Sequence, residues 1–271
     1  PPCLIKKSDG ASLYATRDLA SAIDRHDNLK GDELLYVVGA DQSLHFKQVF
    51  KVLEMMGFEW SKNCHHVSFG LVRFKEGKMS TRKGRVIALE DVIDSAIELV
   101  AKMVEEKNPD ILDKDETIRK IALGAIYFND LVNDRVKNIE FDWDRALSTE
   151  GDSGPSVQYS AVRCKSILKK AHFQWKGLDG KDSWSHEEQK LIFTLIQFQD
   201  VVRVSYLLLK PNILAQYLLQ VCADFGTFYH NNRVLGEAPQ TENKRLHLVD
   251  LNRRILEEGL ALLNISAPEM M

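Results

Sequence analysis

Two hydrophobic rhythms divide this chain near residue 110. Before it, short apolar runs alternate with stretches of helical spacing, and beyond Pro109 helical spacing holds almost throughout. Ser8, Asp9 and Gly10 read as a turn, and the spacing of Leu19, Ala22 and Ile23 predicts a helix that starts close to Asp18. Glu33-Leu-Leu-Tyr-Val-Val38 predicts a short strand covered on both faces. Gly39-Ala-Asp-Gln42 then turns the chain into a helix marked by Leu44, Phe46, Val49, Phe50, Leu53 and Met56 and stopped by Gly57. A second strand is predicted over His66–Val72, and Val86–Leu89 is a short apolar piece. From Asp91 the face Val92, Ala96, Val100, Met103 and Val104 predicts a helix that ends at Asn108-Pro109. Two capped helix starts follow, Asp113 with Glu116 and Ser185 with Glu188. Apolar faces recur at Val157, Ala161, Cys164, Leu168 and Ala171, at Leu214, Tyr217, Val221 and Phe228, and at Val249, Ile255, Leu256 and Leu263. The expected architecture is α/β followed by all-α.

Composition narrows the picture. With 271 residues and 44% hydrophobic content the chain can bury a sizeable core and form two domains. No apolar run approaches the ~20 residues of a membrane span, and Pro-Pro-Cys-Leu-Ile-Lys-Lys lacks signal-peptide organisation, so a cytoplasmic location without membrane contact is expected. Because the first residue is not methionine and the chain leads straight into a motif, a fragment of a longer protein is expected. A formal net charge of −3 argues against indiscriminate coating of nucleic acid, so RNA contact must come from local patches and no DNA partner is expected. Cys3, Cys64, Cys164 and Cys222 lie too far apart in sequence for a Cys-x-x-Cys pair and read as reduced thiols. Cys64-His65-His66 alternate direction on a strand and cannot all face one ion, so no metal site is assigned.

The chemistry concentrates at Lys78-Met79-Ser80-Thr81-Arg82. From Arg73 to Arg85 six cations stand against one acid, Glu76, with Gly77 and Gly84 bracketing the core of the run. Such a loop suits phosphate, although charge alone also fits a solvated surface. Its order resembles the second signature of class I aminoacyl-tRNA synthetases, in the form that the arginyl enzymes carry. The stretch Asp9-Gly-Ala-Ser-Leu-Tyr-Ala-Thr-Arg-Asp18 is similar to an arginyl motif whose tyrosine and final aspartate line the amino-acid pocket. The resemblance thus implies arginine contacts for Tyr14 and Asp18; by spacing alone Asp18 reads as a helix cap. Gly39-Ala-Asp-Gln42 resembles the segment that approaches the ATP ribose, implying Gly39 and Asp41 for the nucleoside and Gln42 for arginine. His45 is either a ribose contact or a helix-surface histidine.

Phe141-Asp-Trp-Asp, Glu150-Gly-Asp-Ser-Gly-Pro155, Val157-Gln-Tyr-Ser-Ala-Val-Arg163, Phe228-Tyr-His-Asn-Asn-Arg-Val234 and the closing Ala267-Pro-Glu-Met-Met271 resemble, in order, blocks of the arginyl anticodon-binding domain. The resemblance covers nearly the whole chain and implies the second half of a class I Rossmann-like nucleotide-binding domain (residues 1–90), a helical connector (91–116) and a helical-bundle anticodon-binding domain (117–271). It implies arginine–tRNA ligase activity with L-arginine, ATP carrying Mg2+, and tRNA(Arg) as partners. Lys78, Ser80 and Arg82 would serve catalysis, Lys78, Met79, Ser80 and Arg82 would hold ATP with Gly39, Asp41 and His45, and Tyr159, Arg163, Tyr229 and Met271 would contact tRNA. For Tyr159 and Tyr229 core packing is the competing reading. Two departures stand out: Thr81 occupies the place of a second signature lysine, and Ser156 replaces an aromatic residue after Pro155. The first class I signature, His-x-Gly-His, does not occur in these residues, which leaves a non-catalytic tRNA-binding module as the alternative.

Overall fold

The structure is a computed structural model that describes residues 2–74, 88–178 and 183–271. The chain forms two compact units, Pro1–Val72 with Arg135–Ile139, and Arg73–Asp134 with Glu140–Met271.

In the first unit α1 (Tyr14–Asp27) leads to β1 (Leu34–Gly39), and a 3-10 turn (Ala40–Gln42) leads to α2 (Ser43–Met55). A second 3-10 turn (Glu59–Asn63) then precedes β2 (Cys64–Phe69). β1 and β2 are parallel, in register from Leu34 opposite Cys64 to Gly39 opposite Phe69. Parallel neighbours need a crossover, and α2 supplies it. The core gathers Ala15, Leu19 and Ala22 of α1, Leu34 and Tyr36 of β1, Phe46, Val49 and Leu53 of α2, and Cys64.

Three expectations change here. The helix predicted to begin near Asp18 begins at Tyr14, so Asp18 lies in its second turn and caps nothing. The Thr16 hydroxyl fixes this start, accepting from the Leu13 amide at 3.2 Å and donating to the Ile5 carbonyl. β1 is covered on one face only, with Leu34 and Tyr36 buried and Leu35 and Val37 exposed. Both α1 and α2 pack on the face of Leu34 and Tyr36, so Leu35 and Val37 meet neither helix. Leu44 of α2 and Met56, just past its end, fall outside the buried stripe of Phe46, Val49 and Leu53 and are exposed.

β3 (Val72–Phe74) pairs with β4 (Ile139–Phe141) where the chain passes between the units. In the second unit, α3 (Leu89–Lys107) and α4 (Lys114–Leu131) share one core with Phe141 and with Trp143 of the single-turn α5 (Trp143–Ala146). α6 (Gly154–Lys170), α7 (His186–Ile196), α8 (Phe198–Leu207), α9 (Pro211–Asn231) and α10 (Pro239–Leu262) complete the bundle. Its larger core joins residues of α4, α6, α7, α9 and α10.

The predicted box at Ser185 and Glu188 is present. The one at Asp113 is not: Asp113 sits at φ 51° and its side chain makes no cap. A left-handed backbone turns an N-cap side chain away from the extended geometry that reaches the first helical amides. Among the described residues no helix is long and apolar enough to cross a membrane.

Candidate functional site

β1 ends at Gly39, and the turn into α2 places Asp41 and Gln42 at the carboxyl end of the strand, both exposed. In open α/β sheets ligands bind beyond that end. A Cβ on Gly39 would lie 2.7 Å from Asp41 Oδ1, so glycine is what lets this carboxylate fold back against the backbone.

His45, in the first turn of α2, reaches α1. Its Nε2 lies 2.6 Å from Asp18 Oδ2, with the side chains 26% and 37% exposed. A carboxylate accepts, so Nε2–H donates. The bond fixes one oxygen of Asp18 and leaves Oδ1 outside it. Tyr14, one helical turn before Asp18 and on the same face, is 79% exposed. An anionic group of fixed direction beside an open phenol ring suits a planar cation able to donate in pairs and to stack. The structure therefore joins Asp18 and His45, which the sequence assigns to different ligands.

His66, by contrast, turns inward. Its Nε2 lies 3.0 Å from the Val38 carbonyl and its ring stacks on Phe46 at 4.8 Å, while Cys64 is buried in the core. The four cysteines are free. Burial pushes the thiols of Cys164 and Cys222 up to about 12, which leaves them protonated at neutral pH and poor nucleophiles. Lys78, Met79, Ser80 and Arg82 lie outside the described residues.

On the helical side, Ser153 caps α6, accepting from the Ser156 amide at 3.1 Å, and Pro155 lies in the first turn. Ser156, found where the resemblance leads one to expect an aromatic residue, donates its hydroxyl to the carbonyls of Gly151 (2.6 Å) and Ser153 (2.9 Å). It secures the cap rather than offering a ring. Tyr159 projects from α6 and is 42% exposed. One turn on, the Arg163 guanidinium lies over the Tyr229 ring, 4.2 Å from its centroid. Tyr229 is half-buried and also flanks Phe225, with ring centroids 6.0 Å apart. Tyr229 is thus packed in part, with Arg163 covering one face of its ring. Met271 is half-buried against the core shared by α3 and α4.

A family model described as tRNA synthetases class I (R), catalytic domain, matches residues 2–143, and a DALR anticodon binding domain model matches residues 157–271. The chain belongs to the arginyl-tRNA synthetase family. It is 43% identical to the arginine–tRNA ligase of Halothermothrix orenii and 45% identical to that of Clostridium perfringens, aligned in both cases over 100% of this chain and 48% of the relative. The chain thus spans about half the length of the curated relatives it matches. Among solved structures, Thermus thermophilus arginyl-tRNA synthetase superposes with a TM-score of 0.90 at 30% identity, covering 99% of this chain and 51% of that one. The Plasmodium falciparum enzyme, at 22% identity and a TM-score of 0.83, shares the fold over 98% of this chain and 46% of its own.

Within this arginyl-tRNA synthetase fold the sequence reading missed two polar anchors. Glu188 is fully buried, and its Oε2 accepts from Lys244 Nζ (2.8 Å) and the Ser185 amide (2.8 Å), while Oε1 accepts from Arg245 Nε (2.7 Å). The capping box marked Glu188 as a helix-start residue but gave no sign of its partners on α10. Gln158 is the second, equally buried, and its bonds run to carbonyls far away in sequence.

Proposed function

We propose that these residues belong to an arginine–tRNA ligase. The arginine carboxylate attacks the α-phosphorus of ATP and releases pyrophosphate, and the adenylate then passes arginine to a terminal hydroxyl of tRNA(Arg). Tyr14, Asp18 and Gln42 bind arginine. Gly39, Asp41 and His45 face the nucleoside, and Lys78, Met79, Ser80 and Arg82 meet the phosphates, where fixed cations offset charge on the departing pyrophosphate. We assign Mg2+ to the nucleotide phosphates and water, the oxygen ligands it prefers. Tyr159, Arg163, Tyr229 and Met271 bind the anticodon, in a domain taken to run over residues 117–271 after the connector 91–116. We place the enzyme in the cytoplasm.

The observation that carries this reading is the Asp18 carboxylate, held at 2.6 Å by His45 and one turn from an exposed tyrosine. It is tested on the natural polypeptide that contains this chain, by arginine-dependent pyrophosphate exchange and by charging of tRNA(Arg). Both activities are expected with arginine, and both should fall about ten- to a hundredfold in Asp18→Asn, which removes a charge-assisted bond to the guanidinium. Charging with a different amino acid, or full activity in Asp18→Asn, would overturn the assignment.

A further inference from the structure

The C-terminal tail leaves α10 after Leu262 and is held at several points. Leu263, Ile265 and Pro268 are buried. At one point the hold is polar: the Gln158 amide, with no exposed surface, donates to the Ser266 carbonyl at 2.7 Å and to the Lys120 carbonyl of α4 at 3.0 Å. Two glycines make room for it. A Cβ on Gly124 would lie 2.6 Å from Gln158 Nε2, and a Cβ on Gly154 would collide with the Gly124 carbonyl. α4 and α6 therefore cross backbone to backbone, which is what brings a side chain of α6 within reach of both a helix carbonyl and the tail. Further out, Lys165 of α6 bridges Glu269 of the tail at 2.7 Å and Glu257 of α10 at 2.9 Å. The tail ends with Met271 against the core of α3 and α4.

Gln158 and Lys165 share one helix with Tyr159 and Arg163, the side chains assigned to tRNA. The same helix thus carries the recognition face outward and the tail's anchors inward. We propose that Gln158 is a positioning residue for tRNA recognition, acting by clamping the C-terminal tail so that Met271 is presented at a fixed place against the core of α3 and α4. This rests on the assignment of Met271 to tRNA. The hydrophobic burial of Ile265 and Pro268 holds the tail near the bundle, but apolar contacts are non-directional. The two donated bonds fix its register.

Gln158→Met keeps the side-chain length and removes both donors. It is compared with deletion of Ala267–Met271 and with the two combined, each measured for affinity to tRNA(Arg) and to the same tRNA with an altered anticodon, and for amide exchange over residues 265–271. Gln158→Met should speed exchange in the tail and lower the cognate-to-altered affinity ratio by about tenfold, the scale of two hydrogen bonds lost together. It should add nothing to the ratio once the tail is deleted. An altered melting temperature with unchanged ratio and unchanged tail exchange overturns the proposal, as does a full effect on the deleted background. If the deletion itself leaves the ratio unchanged, Met271 is not a tRNA contact and the positioning role falls with it; faster tail exchange in Gln158→Met would still establish the clamp. Glu269→Ala serves if Gln158→Met does not fold, since it removes only an exposed end of the hold. Faster tail exchange with a ratio lowered about twofold then supports the proposal, and the absence of both overturns it.

Discussion

Replacing His45 by Phe separates two roles that the sequence could not. The ring and its edge-on contact with Phe46, 5.3 Å between centroids, are retained in outline, while the Nε2 donor to Asp18 is lost. Hydrogen bonds to charged groups contribute about 1.5 to 3 kcal/mol. The side chains here are 26% and 37% exposed, so water replaces part of the lost bond and about 1 to 1.5 kcal/mol is the expected cost. That corresponds to a fall of about five- to tenfold in kcat/KM for arginine. The assay is steady-state pyrophosphate exchange with arginine and ATP varied in turn. Because the bond orients the carboxylate proposed to meet arginine, KM for arginine should rise even if ATP is saturating. In the Asp18→Asn background the same change should cost less than about twofold, since the charged acceptor is already gone. If His45→Phe affects only KM for ATP, and does so undiminished in the Asp18→Asn background, His45 is a nucleoside contact alone and the reasoning fails.

Two further outcomes follow from the helical unit. Glu188→Gln leaves Lys244 and Arg245 facing no buried anion and should destabilise the protein by about 3 to 5 kcal/mol, read as a lower thermal midpoint. Burial pushes the Glu188 carboxyl up, but Arg245, Lys244 and the Ser185 amide outweigh it and hold it below the ordinary glutamate value; Asp224 is likewise lowered, burial being outweighed by Lys190, Gln220 and Thr194. A depressed folded value means stability that is present above the unfolded value of about 4 and lost as pH falls through the folded value, so the gap between wild type and Glu188→Gln should close in acid; a constant gap would refute the ionic origin. For tRNA, Arg163→Ala and Tyr229→Ala should be coupled by about 0.5 to 1 kcal/mol, because the guanidinium rests on the ring, and Arg163→Ala should also flatten the salt dependence of binding. Additive losses in a double-mutant cycle would show that the two side chains do not act as a stacked pair in recognition.

What the sequence made legible was chiefly periodic. Val92, Ala96, Val100 and Val104 form the buried stripe of α3 as their spacing predicts, and Leu214, Tyr217, Val221 and Phe228 do so in α9. The Ser185 box was legible because its partners lie three residues apart. Asp18 misled because apolar spacing becomes clear only at Leu19, whereas the start of α1 is set by Thr16 bonding back to Ile5. β1 misled because an apolar run does not say how many faces a neighbour will cover. The Asp18 to His45 bond spans 27 residues and the Gln158 bonds span 38 and 108, so no local pattern encodes them. Ordered family motifs brought Asp18 and His45 under attention, naming ligands rather than partners, and left Gln158 without a role.

The return of Arg135–Ile139 to the first unit has a consequence for biosynthesis. Gly70 donates its amide to Arg135, Leu71 to the Asn138 side chain, and Ile139 donates back to Leu71, while a side chain at Gly70 would strike the Lys137 backbone. A nascent chain emerging from the ribosome cannot close this unit when Val72 appears. It must wait for the ~67 residues up to Ile139, an interval of about 3 to 13 seconds at ordinary elongation rates. α3 and α4 are made during that wait, so part of the second unit is synthesised before the first is complete. For the same reason no single crossover between genes can exchange one unit cleanly for a homologous one: an intact first unit always needs two separate stretches inherited together.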